Sequence, residues 1–132
     1  ARAPPPTPTP TPAEGSDDSR RVAEVLRRYA AAYGNLDVRA ARDVWPNVDQ
    51  RALARAFDSL ASQTVSFDRC DIDVRGAVAS ASCRGQASYV GKVGRTEPRT
   101  EPRTWRFELR RDGERWTIER AEARRGSGTS GF

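Results

Sequence analysis

Apolar residues recur at helical spacing in the first half of the chain and alternate with polar residues in the second half. One apolar stripe repeats every three or four residues over Ser16–Tyr33, which predicts an amphipathic helix. Shorter helices are predicted over Leu36–Trp45, which Pro46 ends, and over Asn47–Leu60. The stripe of the first helix comprises Val22, Val25, Leu26, Tyr29 and Tyr33.

Polar residues and one glycine mark the predicted helix ends. Asp37 is the candidate N-cap of the second helix, and Asn47 or Asp49 that of the third, because a short polar side chain accepts hydrogen bonds from free N–H groups. Gly34 is predicted to follow the first helix in the left-handed conformation. The helices then form a layer whose apolar face requires a sheet to cover it.

The segment Thr64–Val90 predicts a β-hairpin that turns at Gly76–Ala77. This turn places Cys70 opposite Cys83. A β-bulge near Asp68–Arg69 keeps the earlier apolar residues on the same face as the later ones. The residues predicted to face inward are Val65, Phe67, Cys70, Ile72, Val74, Ala79, Ala81 and Cys83.

A last hairpin is predicted from the alternation of apolar and polar residues on both sides of the turn Asp112–Gly113. Its apolar residues share one face: Trp105, Phe107, Leu109, Trp116 and Ile118, with Trp116 facing Leu109 and Ile118 facing Phe107. The preceding Gly91–Thr104 contains Thr-Glu-Pro-Arg twice. Its prolines disfavour a central strand, so we predict a hairpin loop there, with a recognition loop as the alternative.

Both ends of the chain differ in composition from its middle. Residues 1–15 are rich in Pro and Thr and predict an extended linker. Residues 126–132 are rich in Gly and Ser and predict a flexible tail. The folded domain is therefore expected over residues 16–125.

Composition excludes several classes of function. The chain has a net charge of +5, but its arginines and acids are interleaved, so we do not expect a nucleic-acid-binding stripe. Histidine is absent, which removes the commonest general base and metal ligand, and we expect neither a metal nor a cofactor. No apolar run reaches the ~20 residues that span a bilayer.

The two cysteines, Cys70 and Cys83, leave more than one interpretation open. Opposed positions on neighbouring strands can form a disulfide, which would indicate an oxidising compartment. Alternatively, both are buried thiols that behave as small apolar side chains. A redox-active pair is disfavoured because no C-x-x-C motif is present. A disulfide would favour a periplasmic or cell-surface location over the cytoplasm, and the Pro/Thr linker favours the same location.

The order of the elements resembles that of the nuclear transport factor two-like superfamily. The resemblance rests on three phrases, Val25–Asp37, Val74–Ala79 and Arg110–Ile118, and covers Ser16–Arg125. It implies an α+β cone, in which the three helices pack on a curved antiparallel four-stranded sheet. The superfamily's usual hairpin between the second and third helices is missing, so we expect a shallow cone.

Family resemblance also implies two kinds of function. Members similar to ketosteroid isomerase use an Asp base with a Tyr, and Tyr29 or Tyr33 with Asp43 or Asp58 are the candidates for an isomerase, dehydratase or cyclase here. The predicted inward positions are apolar, however, which disfavours acid–base catalysis. No catalytic residue is therefore assigned.

The favoured hypothesis is a non-catalytic accessory domain of a larger bacterial protein, for example C-terminal to a kinase or a membrane-anchored region. It would sense a small apolar ligand or bind a protein partner. The outer sheet face, with Arg84, Arg106, Glu108 and Arg110, is the candidate surface for that partner or for a homodimer. The expected ligand-binding residues at the cone mouth are Tyr29, Tyr33, Trp45, Trp105 and Trp116.

Overall fold

A computed structural model describes residues 13–94 and 97–125. Most of the predicted linker 1–15 and the whole predicted tail 126–132 lie outside the described residues. In chain order the elements are α1 (Ala13–Gly34), α2 (Val38–Val44), α3 (Gln50–Asp58), β1 (Leu60–Arg75), β2 (Val78–Gly91), β3 (Arg99–Asp112) and β4 (Arg115–Arg125).

The helices cover one face of an antiparallel sheet with strand order β1-β2-β3-β4. The predicted α+β architecture, three helices on a curved four-stranded sheet, is confirmed. Helix α1 begins at Ala13, three residues before the predicted start. Its apolar stripe packs on the inner sheet face, and every member of that stripe except the half-buried Tyr33 is at most 8% exposed.

Local side-chain chemistry fixes the starts of the two short helices. The Asp37 carboxylate accepts a hydrogen bond from the Ala40 N–H at 3.0 Å, and Asp49 accepts one from Ala52 at 3.0 Å. Both residues are extended, as N-caps are. The predicted cap at Asp37 is confirmed, and Asp49 is the cap of α3.

The end of α1 differs from the prediction. The residue with a positive φ is Leu36, at 54°, and not Gly34. The Asp37 N–H donates to the Ala32 carbonyl at 2.9 Å and the Leu36 N–H to that of Tyr33 at 3.2 Å, which is the Schellman pattern of a helix C-terminus. The helix continues two residues further than a glycine cap at position 34 would allow.

The register of the first hairpin is confirmed. Ile72 pairs with Ala81 and Cys70 with Cys83, and the register shifts between Phe67 and Arg69, where the bulge was predicted. A disulfide joins Cys70 to Cys83. The inner face of β1 and β2 is therefore covalently closed at one cross-strand pair.

The bulge explains why β2 carries Gly85 on its inner face. A Cβ on Gly85 would lie 1.9 Å from the Ser66 carbonyl oxygen and 2.9 Å from the Phe67 Cα. The bulge brings the backbone of β1 against this position, which only glycine can occupy without a shift of the strand.

The last hairpin turns one residue later than predicted. Asp112 pairs with Arg115, so the turn residues are Gly113, with φ 66°, and Glu114. Ile118 consequently faces Leu109 instead of Phe107. Trp116 lies opposite Arg111. All five predicted apolar residues are nevertheless buried.

The prediction of a loop over Gly91–Thr104 is wrong for much of that segment. Strand β3 already begins at Arg99 and contains Pro102, which pairs with Gln86 of β2. Strand β4 ends at Arg125, opposite Arg103, so Pro102 has a strand neighbour on only one side among the described residues. An imino residue is tolerated at such an edge position.

Candidate functional site

Aromatic side chains occupy the space between α1 and the sheet. Tyr29 and Tyr33 stack with ring centroids 4.3 Å apart, and Tyr29 contacts Phe107 edge-on at 4.9 Å. Tyr33 meets Phe57 of α3 edge-on at 5.2 Å. Such offset and edge-to-face contacts are the preferred geometries of aromatic pairs, so the cluster is well packed.

A second set of rings extends this cluster towards β1. Phe67 contacts Trp105 edge-on at 4.9 Å and Phe107 at 6.1 Å. Trp105 and Phe107 are at most 2% exposed. The interior of the cone at this level is therefore filled by the side chains of the protein itself.

A polar cluster lies on the inner face of β2 and β3, beyond the aromatic residues. The Arg103 guanidinium donates to the Glu101 carboxylate at 2.8 Å, and the Tyr89 hydroxyl donates to the same oxygen at 3.2 Å. The side chains of Arg103 and Glu101 are only 23% and 20% exposed. We call these three residues the inner polar cluster.

The inner polar cluster adjoins the stacked tyrosines. Burial raises the pKa of Tyr29 well above its usual range, and Tyr33 adds to this increase, while Arg103 and Trp105 oppose it. Burial also raises the pKa of Tyr33, and its interaction with Tyr29 acts in the opposite direction. Both hydroxyls therefore stay protonated at neutral pH and can donate hydrogen bonds but cannot act as bases.

Sequence reasoning missed the inner polar cluster because two of its members fell in the segment predicted as a loop. The signal was present nonetheless. Continuing the alternation of Trp105 and Phe107 backwards places Arg103 and Glu101 on the same inward face. Tyr89 joins them because β2 runs to Gly91.

Trp116 lies at the other end of the cone. Its indole N–H donates to Asp18 at 3.3 Å, and Arg111 donates to the second oxygen of that carboxylate, also at 3.3 Å. Asp18 precedes Tyr33 by 15 residues of α1, or about 22 Å along the helix axis. Of the predicted mouth residues, the structure brings together Tyr29, Tyr33 and Trp105, but not Trp116.

Trp45, the remaining predicted mouth residue, packs between the two apolar clusters of the domain. Its indole nitrogen is buried and has no hydrogen-bond partner among the described residues. Trp45 therefore belongs to the junction of the helices with the core. Its role in ligand binding stays a prediction, as do those of the other mouth residues.

The carboxylates considered for catalysis do not reach the tyrosines. Asp43 and Asp58 are both exposed on the helix layer. The backbone carbonyl of Asp43 accepts a hydrogen bond from Arg115 at 3.0 Å, which ties α2 to the last hairpin. The carboxylate of the inner polar cluster, which adjoins Tyr29 and Tyr33, belongs to Glu101 and not to either aspartate.

The outer sheet face is charged. Exposed residues of the central strands include Arg84, Arg106, Glu108 and Arg110. Two shallow concavities of about 300 and 320 Å³ overlap there, and both are lined by Ser82, Arg106 and Glu122. Within residues 13–94 and 97–125, no group of three or more His, Cys, Asp or Glu side chains is placed to hold a metal ion.

Comparisons with known proteins identify the fold. No protein-family model matches the chain, and neither does any curated protein. Solved structures match with high structural similarity. An NTF2-like superfamily protein from Salmonella enterica is 14% identical with a TM-score of 0.76, over 88% of this chain and 96% of that one.

Two further structures carry enzyme names. A candidate dehydratase of the NTF2-like family from Streptomyces avermitilis is 13% identical, with a TM-score of 0.73, over 82% of this chain and 96% of that one. A candidate scytalone dehydratase from Novosphingobium aromaticivorans is 12% identical, with a TM-score of 0.72, over 86% and 87% of the two chains. The chain therefore has the NTF2-like fold that its sequence resembles. At these identities the likeness establishes the fold and not an activity.

In the described part of the chain, none of the helices combines the length and the apolar character needed to cross a membrane.

Proposed function

We propose that this domain is a non-catalytic, protein-binding accessory domain of a larger bacterial protein. It recognises its partner through the outer face of the sheet, and the Pro/Thr segment serves as its linker. Two identical outer faces forming a homodimer are one form that such recognition can take.

A single observation carries this proposal: aromatic side chains of the protein itself occupy the inner space of the cone. Tyr29 and Phe107 are at most 4% exposed, and their rings are in contact. A substrate placed between α1 and the sheet would have to displace these rings. A binding partner would therefore contact the outer surface of the domain rather than its interior.

Charge pairing on the inner face also disfavours catalysis. Glu101 accepts hydrogen bonds from both Arg103 and Tyr89, and both donors bind the same carboxylate oxygen. An effective general base needs a free path to the proton that it removes from the substrate. A carboxylate oxygen that already accepts hydrogen bonds from two donors of the domain lacks such a path.

The disulfide between Cys70 and Cys83 supports an extracytoplasmic location, at the cell surface or in the periplasm. Disulfides persist in oxidising compartments, while cytosolic thiols are kept reduced. The proposal therefore places the partner outside the cytoplasm too.

Native mass spectrometry of the purified domain, with and without reductant, tests the proposal. We expect a protein free of bound small molecules, whose mass without reductant is lower by two hydrogens. A stoichiometric small-molecule adduct that is lost in Tyr33→Ala but kept in the exposed control Arg51→Ala would overturn it. Crosslinking in the native organism then identifies the partner.

A second candidate function, an isomerase or dehydratase, is favoured by the inner polar cluster. It would combine a half-buried carboxylate with hydroxyl donors near an aromatic wall, as acid–base enzymes of this fold do. In that case Glu101 is the base and Tyr89 a hydrogen-bond donor. The structural neighbours named as dehydratases are compatible with this candidate.

The second candidate is tested by assaying proton exchange on a panel of enolisable ketones in deuterated water. Turnover that falls about 10²–10⁴-fold in Glu101→Gln would support it, since general bases contribute that much. Glu97→Gln is the control, because Glu97 is exposed and lies outside the inner polar cluster. Under the proposed function, no member of the panel is turned over by the unaltered domain.

A further inference from the structure

Charges on the outer sheet face follow the register of the strands. Arg106 lies opposite Glu122, and Glu108 lies opposite Arg120, so acid faces base at these positions. The row of outward-facing residues two positions before Arg106 along β3 differs. In this row the four strands present Arg69, Arg84, Thr104 and Arg124 side by side, with no acid among them.

Two arginines in the centre of this face lack an ion-pair partner in the part of the chain that the structure describes. Arg69 is 3.5 Å from Asp71 and Arg124 is 3.9 Å from Glu122, so the arginines on the outer strands are compensated. Arg84 and Arg106 have no carboxylate oxygen within 4.0 Å among residues 13–94 and 97–125. Both side chains are exposed.

These two arginines form a compact set with two hydroxyl residues. Arg84 pairs with Thr104 and Ser82 with Arg106, so guanidinium and hydroxyl groups alternate at the corners of a square. Neighbouring strands lie about 4.8 Å apart, which puts the diagonal arginines within reach of one anion. We call these four residues the outer quartet. The concavity of about 320 Å³ opens beside it and is lined by Ser82, Thr104 and Arg106, together with Glu122 and Arg124.

The row of arginines is unfavourable without a ligand. Arg69 and Arg84 are directly opposite each other, and like charges at opposed positions destabilise a sheet. A carboxylate bound between Arg84 and Arg106 would relieve this repulsion. It would accept charge-assisted hydrogen bonds from both guanidinium groups and from the Ser82 hydroxyl.

We propose that the outer quartet binds a carboxylate side chain from an extended segment of a protein partner, in which basic residues flank the acid. The inference rests on the proposed protein-binding function and names the chemistry of its partner. The acid of the partner lies between Arg84 and Arg106. Its basic neighbours lie near the carboxylates beside the quartet, Asp71, Glu108 and Glu122. Of these, Asp71 and Glu122 also contact the domain's own Arg69 and Arg124.

The same carboxylates argue against a uniform polyanion. Asp71 and Glu122 flank the pair Ser82–Arg106 on its two sides, one strand away in each direction. A nucleic acid or an anionic membrane presents negative charge continuously and would meet these acids within about 5–10 Å of the arginines. A peptide that alternates acid and base avoids this repulsion and fits the charge pattern.

An NMR titration of the ¹⁵N-labelled domain tests the inference. The probe is the blocked peptide Thr-Lys-Thr-Glu-Thr-Lys-Thr, and its Glu→Gln analogue is the control ligand. We expect amide shifts centred on residues 82–84 and 104–106. We also expect affinity to fall at least about tenfold for the Gln analogue and for the variant Arg84→Gln/Arg106→Gln, since charged hydrogen bonds are lost.

The matched control variant is Arg51→Gln/Arg55→Gln, which removes the same charge from exposed positions of α3. An equal loss of affinity in this control would overturn the assignment of the outer quartet as the binding site, because the net charge of the domain would then explain binding. Tighter binding of a single-stranded oligonucleotide or of phosphatidylserine vesicles than of the peptide would overturn the partner's chemistry. Neither outcome alters the mass-spectrometric result, which tests the non-catalytic function independently.

Discussion

Neighbouring residues of β3 belong to two different environments. On the inner face, Trp105 and Phe107 are buried in the aromatic cluster, and the polar Arg103 is held by Glu101. On the outer face, Arg106 is exposed and has no ion-pair partner in the described chain. The side chains of the inner face contact one another and stabilise the fold, whereas Arg106 on the outer face is exposed to solvent, which is what the proposed protein-binding function requires.

The largest expected effect compares adjacent residues on these two faces. Phe107→Ala should lower the free energy of unfolding by about 3–5 kcal/mol, because it removes a buried ring from a close-packed core. Arg106→Ala should change it by less than about 0.5 kcal/mol. Urea denaturation followed by tryptophan fluorescence measures both. Similar losses for the two variants would contradict the assignment of the faces.

The disulfide is the next largest contribution. It closes a loop between residues 13 positions apart, so removing it as Cys70→Ala/Cys83→Ala should cost about 3 kcal/mol. Reduction of the unaltered domain should lower its stability by a similar amount in the same urea titration. No response to reductant would indicate that the two thiols are free in solution.

The third largest effect is expected at Asp18, a buried carboxylate where α1 contacts the last hairpin. Asp18→Asn should cost about 2 kcal/mol, because one of two donors, Trp116 or Arg111, then faces an amide N–H₂ group. Asp17→Asn is the control, since the side chain of Asp17 is 50% exposed and forms a surface ion pair with Arg20. Thermal denaturation distinguishes the variants, and equal melting temperatures would contradict this role for Asp18.

The smallest expected effect is a loss of stability at alkaline pH that is due to Tyr29 on the inner side of the sheet. Folded Tyr29 keeps its proton at pH values where unfolded tyrosine, with a pKa of 10.0, loses it. The free energy of unfolding should therefore fall above about pH 10, by up to about 1.4 kcal/mol per pH unit for this group. Tyr29→Phe should reduce this slope. An unchanged slope would show that Tyr29 titrates normally in the folded domain.

Period-two alternation around Gly76 was sufficient to predict the first hairpin, its bulge and the contact of Cys70 with Cys83. A slip of one residue would have moved every apolar side chain to solvent, so the pattern admits one register. The last turn was misplaced because the Asp112–Gly113 pair was taken as its two central residues, whereas Asp112 still pairs with Arg115. Further from the turn, an unpredicted bulge leaves Glu119 without a register partner in the described part of β3. That extra residue lets Ile118 and Ala121 both face inward, which simple alternation forbids.

The inner polar cluster was missed because we applied the rule that proline disfavours a central strand to the segment that contains Glu101 and Arg103. That rule treats a strand as central or peripheral over its whole length. Among the described residues, however, only the part of β3 from Arg103 onward has a strand on both sides. Where a neighbouring strand ends is a tertiary property that no local pattern contains. In the described part of the chain Arg84 and Arg106 have no ion-pair partner, and this too depends on side-chain distances across strands, which the sequence does not give.

The bond between Asp18 and Trp116 has a consequence for the time course of folding. Its partners are 98 residues apart, so it can form only after almost the whole domain has been synthesised. Contacts between such distant residues slow folding, because a long chain must be closed before they form. We expect no stable fragment that ends before β4, and a single late folding event in which the last strand secures the first helix.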